Sequence, residues 1–168
     1  MAKKRKPGAT KPEGIFEKFR ECRFFLARMA DYESVPELEN FLFCLSAFLS
    51  AFRTIGSRLQ GVTGKKYDKR QRENLKLRLE SHPRIGFLFD VRDVEVHGDG
   101  TTIWPRFRLV GAGASQPGPL ELHFFPRMPS QVRVIGFHFE GQPPDQNLIE
   151  FCHDSLNDFE DMIRKTVL

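Results

Sequence analysis

From Gly14 to Ala30 the apolar residues Ile15, Phe19, Cys22, Leu26 and Met29 recur at alternating steps of four and three, the spacing that lines one face of a helix. The pattern predicts a first helix. Tyr32 to Val35 make a short connection, and Pro36 stands where a first helical turn tolerates proline, because its missing amide hydrogen would be unpaired there anyway. A second helix is predicted to run to about Gln60. Its Leu38, Phe41, Leu45, Phe48, Phe52, Ile55 and Leu59 keep a strict three-four rhythm, and Ser46, Ala47, Ser50 and Ala51 are small enough to admit a neighbouring helix. Leu42, Phe43 and Leu49 widen the apolar arc, so this helix is expected at the centre of a bundle with partners on more than one side. Gly61-Val-Thr-Gly64 is expected to end it.

The basic stretch from Tyr67 to Glu80 reads as a third, weakly amphipathic helix closed by His82-Pro83. A fourth, from Arg84 to His97, carries Ile85, Leu88, Phe89, Val91, Val94 and Val96, with Gly98 as its stop. After Gly100 the period changes from helical to alternating. Ile103, Pro105, Phe107 and Leu109 oppose Thr102, Trp104, Arg106 and Arg108, which predicts a strand, and Pro105 argues for a sheet edge. Gly111 to Pro119 is a loop, Leu120 to Phe125 a second strand, Pro126 to Ser130 a turn, and Gln131 to Glu140 a third strand whose alternation shifts at Gly136, as at a bulge. Pro143-Pro144-Asp145 then opens a last helix with Leu148, Cys152, Leu156, Phe159 and Ile163 on one face. The expected fold class is α+β, mainly α: an antiparallel bundle of four to five helices with a small three-stranded antiparallel sheet inserted before the last helix. Residues 1–13 read as a basic disordered tail, and 14–168 as one domain, with the bundle at 14–100, the sheet at 101–141 and the C-terminal helix at 144–166.

A chain of 168 residues supports one sizeable core. With 17 phenylalanines against two tyrosines, that core should be rich in unsubstituted rings. The uncharged run from Phe41 to Phe52 is well short of the roughly 20 residues a membrane span needs, and the basic opening Lys3-Lys4-Arg5-Lys6 lacks the apolar stretch of a secretory signal. Cys22, Cys44 and Cys152 are odd in number, far apart and set among apolar neighbours, which fits reduced thiols in the cytoplasm rather than disulfides or a metal cage. Net charge is +4 but uneven. Arg58, Lys65, Lys66, Lys69, Arg70, Arg72, Lys76 and Arg78 crowd the middle, whereas Glu150, Asp154, Asp158, Glu160 and Asp161 make the last helix acidic. A basic middle suits a polyanion, because each cation that meets a phosphate releases a counterion. Gly64-Lys65 is not a phosphate-binding loop, since Leu59 stands where such a loop needs a glycine and Lys66 where it needs a hydroxyl.

The chemistry-bearing stretch is Arg92-Asp-Val-Glu-Val-His97. Residues four apart stack on a helix, so Asp93 pairs with His97 while Arg92 lies well round from it. A neighbouring carboxylate and the negative end of the helix dipole favour the imidazolium, which suits a group that gives and takes protons. The plain alternative is an exposed capping histidine in a helical ion pair. Spacing alone decides little, because Arg133-Val-Ile-Gly-Phe-His138 matches too. That second pair is set aside, since residues five apart on a strand fall on opposite faces. Arg53 shares a stripe of helix two with Ser46 and Ser50 and is a candidate for lining a cleft, although a surface arginine is the simpler reading. Lys65, Lys66, Lys69 and Arg70 are candidate RNA contacts. Trp104, Arg106 and Arg108 have the chemistry to stack on bases and grip phosphates, but a strand tryptophan often simply packs. His82, His123 and His153 show no partner spacing and receive no role.

Glu39 to Arg53, followed after a basic helix by Phe87-Leu-Phe-Asp-Val-Arg-Asp-Val-Glu-Val-His97, resembles a HEPN domain (higher eukaryotes and prokaryotes nucleotide-binding) over roughly Phe16 to His97 and, more loosely, the last helix. Members of that superfamily are four- or five-helix bundles, commonly dimeric, and many are metal-independent ribonucleases of toxin and defence systems. Their signature is arginine, a polar residue that is most often asparagine, a few residues, then histidine. Arg92, Asp93 and His97 match those positions, with an anion in place of the commoner amide. The resemblance implies RNA as substrate, Arg92 and His97 as catalytic residues with Asp93 orienting the imidazole, no metal or other cofactor, a homodimer, a cytoplasmic setting without a membrane, and a cognate antitoxin or regulatory protein. It also leaves open a catalytically inactive nucleic-acid- or protein-binding module.

Overall fold

The predicted stripes are carried by five helices among the described residues, α1 (Glu13–Asp31), α2 (Leu38–Lys66), α3 (Lys69–Glu80), α4 (Pro83–His97) and α5 (Leu148–Val167), and by two strands, β1 (Ile103–Leu109) and β2 (Val132–Phe139). The computed structural model describes residues 13–33, 37–97, 103–109, 132–142 and 146–167, and of these only the backbone at 13, 64–66, 95–97, 104–109, 132–135 and 166–167. Helix α1 buries Ile15, Phe19, Cys22, Leu26 and Met29, and α5 buries Leu148, Cys152, Leu156, Phe159 and Ile163, as their spacing predicts. Helix α2 is the central element, with Phe41, Leu45, Phe48, Phe52, Ile55 and Leu59 all buried. Arg58, late in α2, donates to the carbonyl of Gly14 at the start of α1, so the two helices run antiparallel.

The core is built from phenylalanine rings. Phe52, Phe89 and Phe159, from α2, α4 and α5, form a triangle with centroids 5.2 to 5.9 Å apart, and Phe19 of α1 meets Phe159 at 6.0 Å. A second group joins Phe87, Phe139 and Phe151, and Phe41 meets Phe137 at 4.6 Å, so β2 is seated on the bundle through its own rings. Burying each such ring contributes about 1.5–3 kcal/mol, with about 0.5–1.5 kcal/mol more per well-placed aromatic pair.

Several boundaries differ from those the sequence predicts. Helix α2 does not end at Gly61–Gly64 but continues to Lys66. Each helical glycine costs about 1 kcal/mol, but Val62 packs on the core and the buried Thr63 returns its hydroxyl to the Leu59 carbonyl at 2.8 Å, so tertiary contact outweighs propensity. Asp68 and Gln71 then form a reciprocal capping box, which starts α3 at Lys69 rather than Tyr67. The wide apolar arc of α2 is used only at Leu49; Leu42 and Phe43 are exposed. Helix α5 begins at Leu148, with the Asn147 side chain accepting from the Ile149 amide at 2.7 Å. The segments 34–36, 98–102, 110–131 and 143–145, and with them the predicted strand Leu120–Phe125, lie outside the described residues, as does the tail 1–12.

The strands pair antiparallel with Ile103 opposite Phe139 and Leu109 opposite Val132. The predicted bulge is present: the register shifts between Arg106 and Phe107, opposite Gly136 and Val134. Gly136 has φ +143°, and a Cβ there would run into the Asn147 amide and stand 2.9 Å from Glu33 Oε1, so glycine is required on both counts. Cys22, Cys44 and Cys152 are free thiols. Burial pushes the Cys22 thiol up to about 12 and raises Cys152 well above its ordinary value. Leu38–Thr63 is long and apolar enough, by length and composition, to cross a membrane, a test that the core helix of a soluble protein also passes. Here its apolar stripe is covered by the surrounding helices.

Candidate functional site

The candidate site grows from the close approach of α2 and α4. Gly56 makes that approach possible, since a Cβ there would stand 3.1 Å from the Phe89 ring. One turn earlier on α2, the Arg53 guanidinium lies 4.5 Å from the Phe89 centroid, and its Nη2 is 3.5 Å from Asp93 Oδ2 on α4. Arg53 is therefore not simply a surface arginine. It is held by a ring face and a carboxylate, contacts worth about 0.5–1 kcal/mol each at half-exposed positions. The partner of Asp93 among the described side chains is Arg53; the predicted stacking on His97 lies outside the described residues, because only the backbone of His97, the last residue of α4, is described.

Arg92 precedes Asp93 on α4 and faces a different environment. It is half-buried, and its Nε is buried without a hydrogen-bond partner among the described residues. An unsatisfied buried donor of this kind costs about 1–3 kcal/mol. At the other end of the same helix, Arg84 is paired with two carboxylates. Its Nη1 meets Asp158 Oδ2 at 2.8 Å and its Nη2 meets Asp154 Oδ2 at 3.6 Å. The hydrogen bond to Asp158, with both carboxylates nearby, raises its pKa above the ordinary arginine value. His82, which spacing left without a role, belongs to this cluster: Nδ1 accepts from the Ile85 amide at 3.5 Å, and Nε2 is 3.9 Å from Asp158. The signal was its place three residues before Ile85 at a helix start, where a ring nitrogen can act as a cap.

Beside Arg53 opens a groove of about 220 Å³ between α2, α3 and α4, lined by Arg53, Ser57 and Gln60 from α2, Lys76 and Glu80 from α3, and Phe89 from α4. Such a volume is below the ~300–1,000 Å³ of enclosed ligand pockets, so the groove is a surface feature rather than a chamber. Lys76 pairs with Glu80, one turn on along α3, at 3.6 Å. Of the predicted RNA contacts, Lys69 and Arg70 stand on the exposed face of α3, Lys69 with Glu73 at 3.8 Å and Arg70 without a partner among the described residues. The side chains of Lys65 and Lys66 lie outside the described residues. The structure thus joins Arg53 to Asp93, next to Arg92 in the chain, and adds Lys76, which sequence reasoning had left in the general basic stretch. Among the described residues no group of three histidine, cysteine or acidic side chains is placed to hold a metal ion. Comparison with protein-family models, with curated proteins and with solved structures finds no match to this chain.

Proposed function

We propose that this chain is a metal-independent endoribonuclease of HEPN type, with a HEPN-like bundle that carries a three-stranded sheet, acting in the cytoplasm as a homodimer in a toxin or defence setting. The observation that carries the reading is Arg92: a half-buried guanidinium with an orphaned Nε and no ion pair among the described residues, five positions ahead of a histidine that ends the same helix. A permanent cation without a carboxylate partner is suited to an incoming anion, and phosphate is the anion that a basic α3 would draw in.

In the proposed reaction a ribose 2′ oxygen attacks the adjacent phosphorus, the bond to the 5′ oxygen breaks, and the products are a 2′,3′-cyclic phosphate and a 5′ hydroxyl. One proton leaves the 2′ hydroxyl and one must reach the departing oxygen, which a single imidazole does not easily manage in one step. A two-fold dimer supplies two His97 and two Arg92 to one cleft, the histidines as base and acid and the arginines against the charge developing on phosphate. Arg92 then need not reach the His97 of its own helix, from which it is about 140° round the helix axis. Val94, 55% exposed beside Asp93, is the apolar residue such a contact would cover. The Asp93 carboxylate, an anion where related motifs carry an amide, is offset by Arg53. An alternative reading, a catalytically inactive binding module such as an antitoxin or scaffold, is favoured by that same carboxylate.

The test is incubation of the purified chain with bulk RNA in EDTA, beside His97→Ala. Cleavage by the native chain, reduced at least a hundredfold by the substitution, is the expected result. Cleavage that survives His97→Ala, or that appears only when divalent metal is added, overturns it.

A further inference from the structure

Helix α2 turns its buried phenylalanines to the core, and its opposite side carries a second stripe at three-four spacing: Glu39, Phe43, Ser46, Ser50, Arg53 and Ser57. This stripe is open. Phe43 is 64% exposed and Leu42 beside it 37%, Ser50 is exposed, and Ser46 and Ala47 are partly so. From Asn40 to Phe52 the helix holds no charge. A ring standing out beside small side chains is a knob next to a shallow hole, the shape on which two helices approach closely.

The charges at the ends of the stripe select what fits it. Glu39 closes the uncharged stretch on one side and Arg53 on the other, each seven residues from Ser46 and so about 10 Å along the axis. A second α2 laid antiparallel about a two-fold at Ser46 sets Glu39 against the partner's Arg53 twice over, with Phe43 over the partner's Ala47 and Ser50. Glu39 is exposed and has no ion pair among the described residues. Arg53 directs Nη2 to Asp93 at 3.5 Å and is 38% exposed, and a guanidinium has five donors, enough for a second carboxylate. A lipid surface favours cations around such a face, whereas this one has Glu37 at the N-cap and Glu39 in the first turn.

We propose that the outer face of α2 from Glu39 to Arg53 is the surface on which a second copy of this chain packs. The inference rests on the homodimer proposed above and names the face that forms it. Helix α4 runs antiparallel to α2, with Phe89 beside Gly56 and Asp93 beside Arg53. Carried one turn on, that register sets the end of α4 at His97 level with about Leu49, close to the axis at Ser46. A two-fold across the helix pair reverses direction but keeps each flank, so both α4 helices lie along one edge of the interface and end toward each other.

The full chain is followed by sedimentation velocity over a concentration series, beside Phe43→Ser and Glu39→Lys. Both side chains are exposed, so the core is left intact, and melting curves on each variant check this. The expected result is a native dimer that Phe43→Ser weakens about a hundredfold, since a central aromatic anchor is lost from each copy. Glu39→Lys should weaken it about fivefold, because two surface pairs are reversed. On mild oxidation Ser46→Cys should form an intermolecular disulfide above the background of the native thiols, and Ser57→Cys, about 16 Å from the axis in each copy, should not. A native monomer, a dimer indifferent to Phe43→Ser, or cross-linking at Ser57→Cys as ready as at Ser46→Cys overturns the face. So does a native monomer whose binding to anionic vesicles is lost in Phe43→Ser, which assigns the face to a membrane. A dimer through another face keeps the homodimer and discards this interface, whereas a dimer through this face in a chain that never cleaves RNA sinks the nuclease and leaves the interface standing.

Discussion

The two ends of α4 treat an arginine in opposite ways. At the start, Arg84 has two carboxylates from α5 within reach and a histidine beside them, a closed set of charges that fastens α4 to the acidic helix. Toward the end, Arg92 is half-buried with its Nε unpaired among the described residues, and the carboxylate of the next residue, Asp93, is engaged by Arg53. A protein that needed Arg92 only for packing would gain by matching it or replacing it, because an unsatisfied buried donor is a net cost. The difference separates an arginine that serves the fold from one that, on the function proposed above, is held ready for an anion from outside.

The comparison breaks most visibly if Arg92 is dispensable. Arg92→Ala is expected to lower RNA cleavage by a factor of about 10²–10³, the scale of losing one charge-stabilising donor, while leaving the thermal midpoint unchanged or slightly raised; cleavage rates and a melting curve on the same preparation decide it. A smaller effect is expected of Arg53→Ala, about tenfold in cleavage, because Asp93 is then an uncompensated anion beside the phosphate. Asp93→Asn in the Arg53→Ala background should return most of that loss, and failure of the rescue would show that Arg53 acts in some other way. Smallest is Arg84→Ala, which should cost about 1 kcal/mol of stability, a fall of roughly 2–4 °C in the melting midpoint, with cleavage unaltered.

Much of the helical framework was legible because burial imposes a period. The stripes Ile15–Met29 in α1 and Leu148–Ile163 in α5 are buried residue for residue. The end of α2 was misread, since glycine signals at 61 and 64 carry less free energy than the packing of Val62 and Thr63, which no local pattern reveals. The bulge at Gly136 is visible as a break in alternation, but which residues of β1 stand opposite it depends on a strand some thirty residues away. For the candidate site, the sequence offered Arg92, Asp93 and His97 by their order, and Arg53 by its stripe. That Arg53 meets Asp93, and that Arg92 meets no acid among the described residues, follows from how α2, α4 and α5 rotate against one another, which periodicity leaves open.

The most direct measurement is the ¹⁵N–¹H signal of the Arg92 Nε group, assigned by its loss in Arg92→Lys and followed while a non-cleavable 2′-O-methyl RNA is added. The account expects the Arg92 signal to shift and become protected as RNA binds while that of Arg84 stays in place. An Arg92 signal that does not respond to saturating RNA, or a response confined to Arg84, would contradict it.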